Sequence, residues 1–169
     1  MQTPHRRYAR FLVRAGLAAA LAVCTIGAGR PYAVWLVGAG ERNGHEVAIR
    51  FRDIVPNAKL RAQYPWRVVI AWPLHRDASG GHVKDEIERT LDFDVTLEQR
   101  IESPDLALGV ASVTDDDVRD WTYYATDRAK VIEALQAIKR DDPTLPIRWE
   151  VDPDREWTAL QNVMDTLKE

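Results

Sequence analysis

His75, Asp77 and His82 stand within one short stretch, at a spacing that a metal ion can bridge. Histidines beside the Gly80-Gly81 pair are more often solvated, and no fourth ligand accompanies them, so no metal is expected here. Asp92 and Asp94, with Glu98 and Glu102, recur at helical spacing and form an acidic face. Paired carboxylates do acid–base work only when a cleft brings them to one substrate bond, and spacing alone supplies no cleft. Asp115-Asp116-Asp117 lacks the twelve-residue ligand pattern and closing glutamate of a calcium loop, and reads as a turn. Serines occur at 79, 103 and 112 only, none within a nucleophile elbow. Gly38-Ala-Gly-Glu-Arg-Asn-Gly44 mimics a dinucleotide-binding loop, but the segment after it alternates like a strand instead of opening a helix, so 38–44 reads as a loop. Arg119, Trp121 and Tyr123 alternate like the stacking residues of an RNA-binding sheet. Asp120 stands where that motif has glycine, and aromatics packed under a helix explain the pattern better. No catalytic residue and no cofactor is expected.

The elements that must position these residues follow from period and punctuation. His45 to Arg52 places Val47, Ile49 and Phe51 on one face of a half-buried strand. Pro56 and Pro65 bracket a polar connector, and Arg67 to Trp72 is an apolar, β-branched strand. Val83, Ile87, Leu91, Leu97 and Ile101 give one long helix, bent near Asp92 to Asp94 and closed by Pro104. Leu106–Thr114 and Arg119–Ala125 form a hairpin across the aspartate turn. Asp127 caps a helix with inner stripe Val131, Leu135 and Ile138. Ile147–Val151 is the last strand, and Asp152-Pro153 fits the cap and first position of a final helix. From Tyr64 to Val151 the order is strand, helix, strand, strand, helix, strand. The expected class is therefore α+β, a ferredoxin-like βαββαβ antiparallel sheet with an extra N-terminal strand and a C-terminal helix over its open face.

Charge divides the chain of 169 residues. Residues 1–33 hold Arg6, Arg7, Arg10, Arg14 and Arg30 and no acid, a net +5, which leaves a net −8 for the rest. An acidic domain opposes a phosphate backbone, so no nucleic-acid partner is expected. The arginines precede an uncharged run, Ala15 to Gly29, that is too short for a comfortable spanning helix and ends in small residues. Residues 1–33 thus read as a signal peptide or N-terminal membrane anchor, residues 34–45 as a linker, and residues 46–169 as the domain. The chain is expected to be exported to the cell envelope or periplasm, or anchored with the domain outside; a cytoplasmic address is the alternative. Leu21-Ala-Val-Cys24 departs from a lipoprotein box at Val23, and Arg6-Arg7 lacks the apolar continuation of a twin-arginine signal. The lone cysteine excludes a disulfide framework.

Arg119-Asp-Trp-Thr-Tyr-Tyr124, then a helix, then Ile147-Arg-Trp-Glu-Val-Asp152-Pro153 and Trp157, resembles the domain-of-unknown-function family 695. That family is similar in turn to the bacterial protein regulators of ribonuclease E (type B), which act by protein contact. The resemblance runs over about residues 46–169. It implies a fold and marks Arg119, Trp121, Tyr123, Tyr124, Asp152 and Trp157 as signature positions with a structural role; it implies no reaction. Trp121, Tyr123 and Trp157 are expected to pack together under the final helix. The functional expectation is a non-enzymatic regulatory module with a protein partner, touching membrane only through its N-terminal segment. An unrecognised metal-dependent or hydrolytic enzyme, or an RNA-binding sheet, is the rival class.

Overall fold

The computed structural model describes residues 24–25, 34–42, 45–115 and 117–166. The expected signal or anchor therefore lies outside the described residues, apart from Cys24 and Thr25. Among the described residues the chain is α+β, with seven strands and four helices. In order they are β1 (Cys24–Thr25), β2 (Val34–Arg42), β3 (His45–Arg52), α1 (Ala58–Gln63), β4 (Trp66–Pro73), α2 (Lys84–Arg100), β5 (Ala107–Thr114), β6 (Val118–Ala125), α3 (Arg128–Asp141), β7 (Arg148–Pro153) and α4 (Thr158–Thr166). One antiparallel sheet runs β1-β2-β3-β5-β6-β4-β7.

Strand alternation sends side chains to two separate cores. On one face Val68, Ile70 and Trp72 of β4 and Trp121 and Tyr123 of β6 meet Phe93 and Leu97 of α2 and Val131, Leu135 and Ile138 of α3. On the other, Leu108 and Val110 of β5 and Tyr124 of β6 meet Leu60 of α1, Trp157 and Leu160 of α4. The final helix does cover the face opposite α2 and α3, as its apolar stripe requires. Asp127 caps α3 as expected, accepting from the backbone N–H groups of Ala129 and Lys130.

Five expectations need correction. The linker assigned to 34–45, and with it the loop at 38–44, is mostly strand: β2 pairs with β3 from Trp35 opposite Arg52 to Arg42 opposite His45. Gly38 and Gly40 made the stretch look like a loop, but they stand opposite Ile49 and Val47, where small residues face large ones. The connector between Pro56 and Pro65 contains α1, whose N-cap Asn57 accepts from Leu60 N–H at 2.9 Å. Helix α2 is one unbroken element, and its buried stripe runs through Thr90, Phe93 and Leu97, leaving Leu91 and Val95 about half exposed, at 50% and 51%. Asp152-Pro153 does not cap α4; it ends β7, and the capping carboxylate is Asp154 two residues on. Finally, Trp121 and Tyr123 do not meet Trp157. They lie under α2, and Trp157 packs on the opposite face.

Candidate functional site

The acidic face of α2 meets a basic face of the sheet. Asp94 and Glu98, with Glu102 just past the helix, are spaced four residues apart and so project from one side of it. Opposite them, Arg50 and Arg52 alternate on β3 and Arg119 sits on β6. Arg52 is the most enclosed, 3% exposed. Its Nη2 donates to Glu102 Oε1 at 2.6 Å and its Nε to the Gly109 carbonyl at 2.7 Å. Arg119 Nη2 reaches Asp94 Oδ2 at 2.6 Å, and the Trp121 indole N–H donates to the other oxygen of Asp94. Arg50 stands 3.8 Å from Glu98 near the rim. The Trp35 ring receives the Arg50 and Arg52 guanidinium groups at 4.1 and 4.5 Å from its centroid.

Burial dominates the electrostatics of this cluster. Burial, with the charges of Glu102, Asp94 and Glu98 behind it, holds the Tyr123 hydroxyl far above its ordinary range. It stays protonated at neutral pH. Burial also draws Arg119 downward, against the pull of Asp94. The cleft between Trp35, Glu98, Glu102, Ser112 and Tyr123 has a volume of about 20 Å³, room for one water. Gly109 is required there: a Cβ would sit 2.9 Å from Tyr123 Cε1 and 3.1 Å from Glu102 Oε2.

The opposite face carries the other signature residues. The Tyr124 and Trp157 rings stack at 4.0 Å, 6° from parallel. Trp157 adopts a left-handed backbone, φ 58°, immediately before α4, and its indole N–H donates to the Tyr64 carbonyl at 3.0 Å. Asp154 ties the assembly together. It accepts from Tyr124 Oη at 2.8 Å and from Thr158 and Ala159 N–H at 2.9 and 3.0 Å. Burial raises its carboxyl, but these donors outweigh it and hold the group below its ordinary range. Asp152 stands apart on the exposed edge, paired with Arg67 at 3.1 Å.

Signature residues Arg119, Trp121 and Tyr123 thus share the α2 cluster, Tyr124 and Trp157 share the α4 stack, and Asp152 joins neither. Trp121 and Tyr123 are buried, out of reach of a stacking base. The loop residues are tied locally: His75 Nδ1 lies 2.9 Å from Glu86 Oε1, and Asp77 accepts from the Ser79 and Gly81 backbone. Among the described residues no three His, Cys, Asp or Glu side chains converge on a metal position, and no helix is long and apolar enough to cross a membrane.

Two surfaces remain open among the described residues. A groove of about 340 Å³ runs between α2 and the end of α3, with Trp72 and Leu145 at its base and charges of both signs on its rim; the 2.5 Å ion pair Arg100–Asp141 joins its two walls. The second is the outer edge of β2. Among the described residues β1 pairs only with Val34 and Trp35, which leaves Leu36–Arg42 paired on the β3 side alone. Val37 is 43% exposed there. The sequence reading missed this edge, along with Arg52, Gly109 and Asp154; the alternation of Trp35, Val37 and Ala39 was the available signal.

No curated protein and no solved structure matches the chain. A model of a family of unknown function, DUF695, matches residues 33–163, a span that takes in β2 as well as the two cores. The chain belongs to that family.

Proposed function

We propose that the chain is a non-enzymatic protein-binding module that takes an extended segment of its partner onto the free edge of β2. The observation that carries this reading is the contrast between the two sheet edges. Exposed strand edges are templates for pairing, and proteins guard them with charge and proline. β7 is guarded in that way by Arg148, Glu150, Asp152 and Pro153. β2 offers Leu-Val-Gly-Ala-Gly from 36 to 40, with no charge, lysine or proline, before Glu41 and Arg42. Strand addition supplies affinity through main-chain hydrogen bonds and specificity through alternate side chains. An uncharged or weakly basic segment suits a domain of net −8.

The body behind this edge reads as a split βαβ, ferredoxin-like unit built from β4, α2, β5, β6, α3 and β7, with β1–β3 added beside β5. The order β5-β6-β4-β7 supports that reading. Similarity to the ribonuclease E regulators supports a protein partner in general, and the +5 leader supports a place for the module outside the cytoplasm.

The test compares the two edges. Val37→Lys with Ala39→Lys puts charge on the open edge, and Glu150→Lys alters the guarded one. Proteins co-purifying from the native envelope fraction should be lost with the β2 variant and kept with the β7 variant, at equal unfolding midpoints. Loss in both or retention in both contradicts the reading.

A further inference from the structure

The open surface at β2 continues inward across β3 to the flank of α2. Neighbouring strands lie about 4.8 Å apart and packed helices about 9 Å, so one helix covers about two strands. α2 and α3 are spent on β5, β6, β4 and β7, whose side chains fill the core beneath them. Beyond α2, no helix among the described residues lies on that face of β3 and β2. Val37 stands opposite Arg50, which reaches toward Glu98 of α2, and the next pair on the same face is Ala39 with Ala48. Strand alternation therefore turns Val37, Ala39 and Ala48 to the α2 side, and all three are exposed. Trp35, with the Arg50 and Arg52 guanidinium groups over its ring, closes one end of this floor.

The α2 side of the floor is apolar and ringed with acid. Leu91 and Val95 are one turn apart and half exposed, away from the buried stripe of Thr90, Phe93 and Leu97. Residues three positions away are neighbours on a helix surface. For these two they are Glu88, Asp92, Asp94 and Glu98, an acid every time. Arg119 holds Asp94, whereas Glu98 stands 3.8 Å from Arg50 and Glu88 3.7 Å from Lys84. Asp92 has no ion pair among the described residues. The other cations of α2 line the groove on the α3 side, Arg89 against the Trp72 ring and Arg100 on Asp141.

We infer that this floor and flank form the seat of one amphipathic helix from a partner protein, its apolar stripe edged with lysine or arginine. Helix-in-groove recognition uses anchors at i, i+3, i+4 and i+7. Here such anchors meet Val37, Leu91 and Val95, and the small Ala39 and Ala48 leave room for a helix beside α2. The charge of the partner follows from complementarity. A basic edge meets Glu88, Asp92 and Glu98, and an acidic one is repelled by them and by a domain of net −8. The seat is on the face of the sheet and not on its edge, so it does not depend on strand addition to β2.

The test selects a display library of single amphipathic helices against the full chain. Each helix has one leucine stripe, and its other positions are drawn from Lys, Arg, Glu, Gln and Ala. Helices with a basic edge should be enriched. Their affinity should fall at least tenfold for Leu91→Ser with Val95→Ser, which removes the apolar flank and keeps every acid. It should fall as far for Ala48→Lys, which fills the floor, and for Glu88→Lys with Asp92→Lys, which reverses the ring. All three variants change exposed side chains, so their urea midpoints should match the wild type. No enrichment, or enrichment of neutral or acidic helices, would overturn the inference. So would affinity unchanged by the Leu91 and Val95 substitutions, since the basic helices would then be held by the net charge of the domain alone. Affinity unchanged by Ala48→Lys would place the helix off the floor and overturn the seat as well.

Discussion

The sheet has a closed half and an open half. Strands β5, β6, β4 and β7 carry both cores, with α2 and α3 on one face and α1 and α4 on the other. Strands β1, β2 and β3 extend past them, and Val37, Ala39 and Ala48 stay exposed on that extension. The buried Arg52–Glu102 pair ties the halves together, since Arg52 belongs to β3 and Glu102 follows α2. The difference teaches where the chain holds its stability and where it holds its availability. Aromatic and acidic residues that looked like candidates for chemistry are spent on the closed half. Among the described residues the open half, plain in composition, has a main-chain edge paired on one side alone over Leu36–Arg42.

If that division holds, substitutions in the closed half should unfold the protein and substitutions on the open edge should not. The largest loss is expected from Trp157→Ala. It empties a fully buried site, ends the stack on Tyr124 and removes the hydrogen bond to the Tyr64 carbonyl, at a cost of about 4 kcal/mol read from the urea midpoint. Glu102→Ala comes next, at about 3 kcal/mol, because it leaves the Arg52 guanidinium buried without its carboxylate. Replacing both members, Arg52→Met with Glu102→Leu, should recover much of that loss. Failure to recover would mean that contacts of Arg52 other than this ion pair, the Gly109 hydrogen bond among them, hold the halves together.

Gly109→Ala should cost about 2 kcal/mol, since the new methyl must displace the Tyr123 ring in a packed core. Asp154→Ala removes a helix cap and should cost about 1 kcal/mol at neutral pH. Its pH dependence has a definite sign. The folded carboxyl is held below its unfolded value, so its contribution is complete above the unfolded range and is lost as pH falls through the folded pKa. The gap between wild type and Asp154→Ala should stay constant from pH 7 to about 5 and narrow below about pH 4. A gap that widens in acid would contradict the assigned hydrogen bonds. The smallest effect belongs to Val37→Lys, within about 0.5 kcal/mol by thermal or urea unfolding, because the side chain already faces solvent.

Much of the closed half was legible because its signals are local. Asp127 and its stripe at 131, 135 and 138 defined α3, and the two apolar runs around Asp115–Asp117 defined the β5–β6 hairpin. Period two already separates Tyr124 from Trp121 and Tyr123, but nothing local says which face receives Trp157. Its left-handed backbone turns the ring onto Tyr124 before α4 begins. Leu91 misled the helix stripe because Thr90, which bonds to the Ile87 carbonyl, fills a buried position with a polar residue. Arg52 and Glu102 meet across fifty residues, and no spacing rule reaches that far. The candidate edge was the least legible part, since Gly38 and Gly40 carry the composition of a turn while β3 imposes the conformation of a strand.

Backbone amide hydrogen exchange tests the central claim most directly, comparing the free chain with the complex purified from the native envelope. New protection should fall at alternating amides within Leu36–Arg42, the pattern of a strand added on one side, with Arg148–Pro153 unchanged. Protection confined to the groove between α2 and α3, with β2 exchanging as in the free chain, would contradict the account.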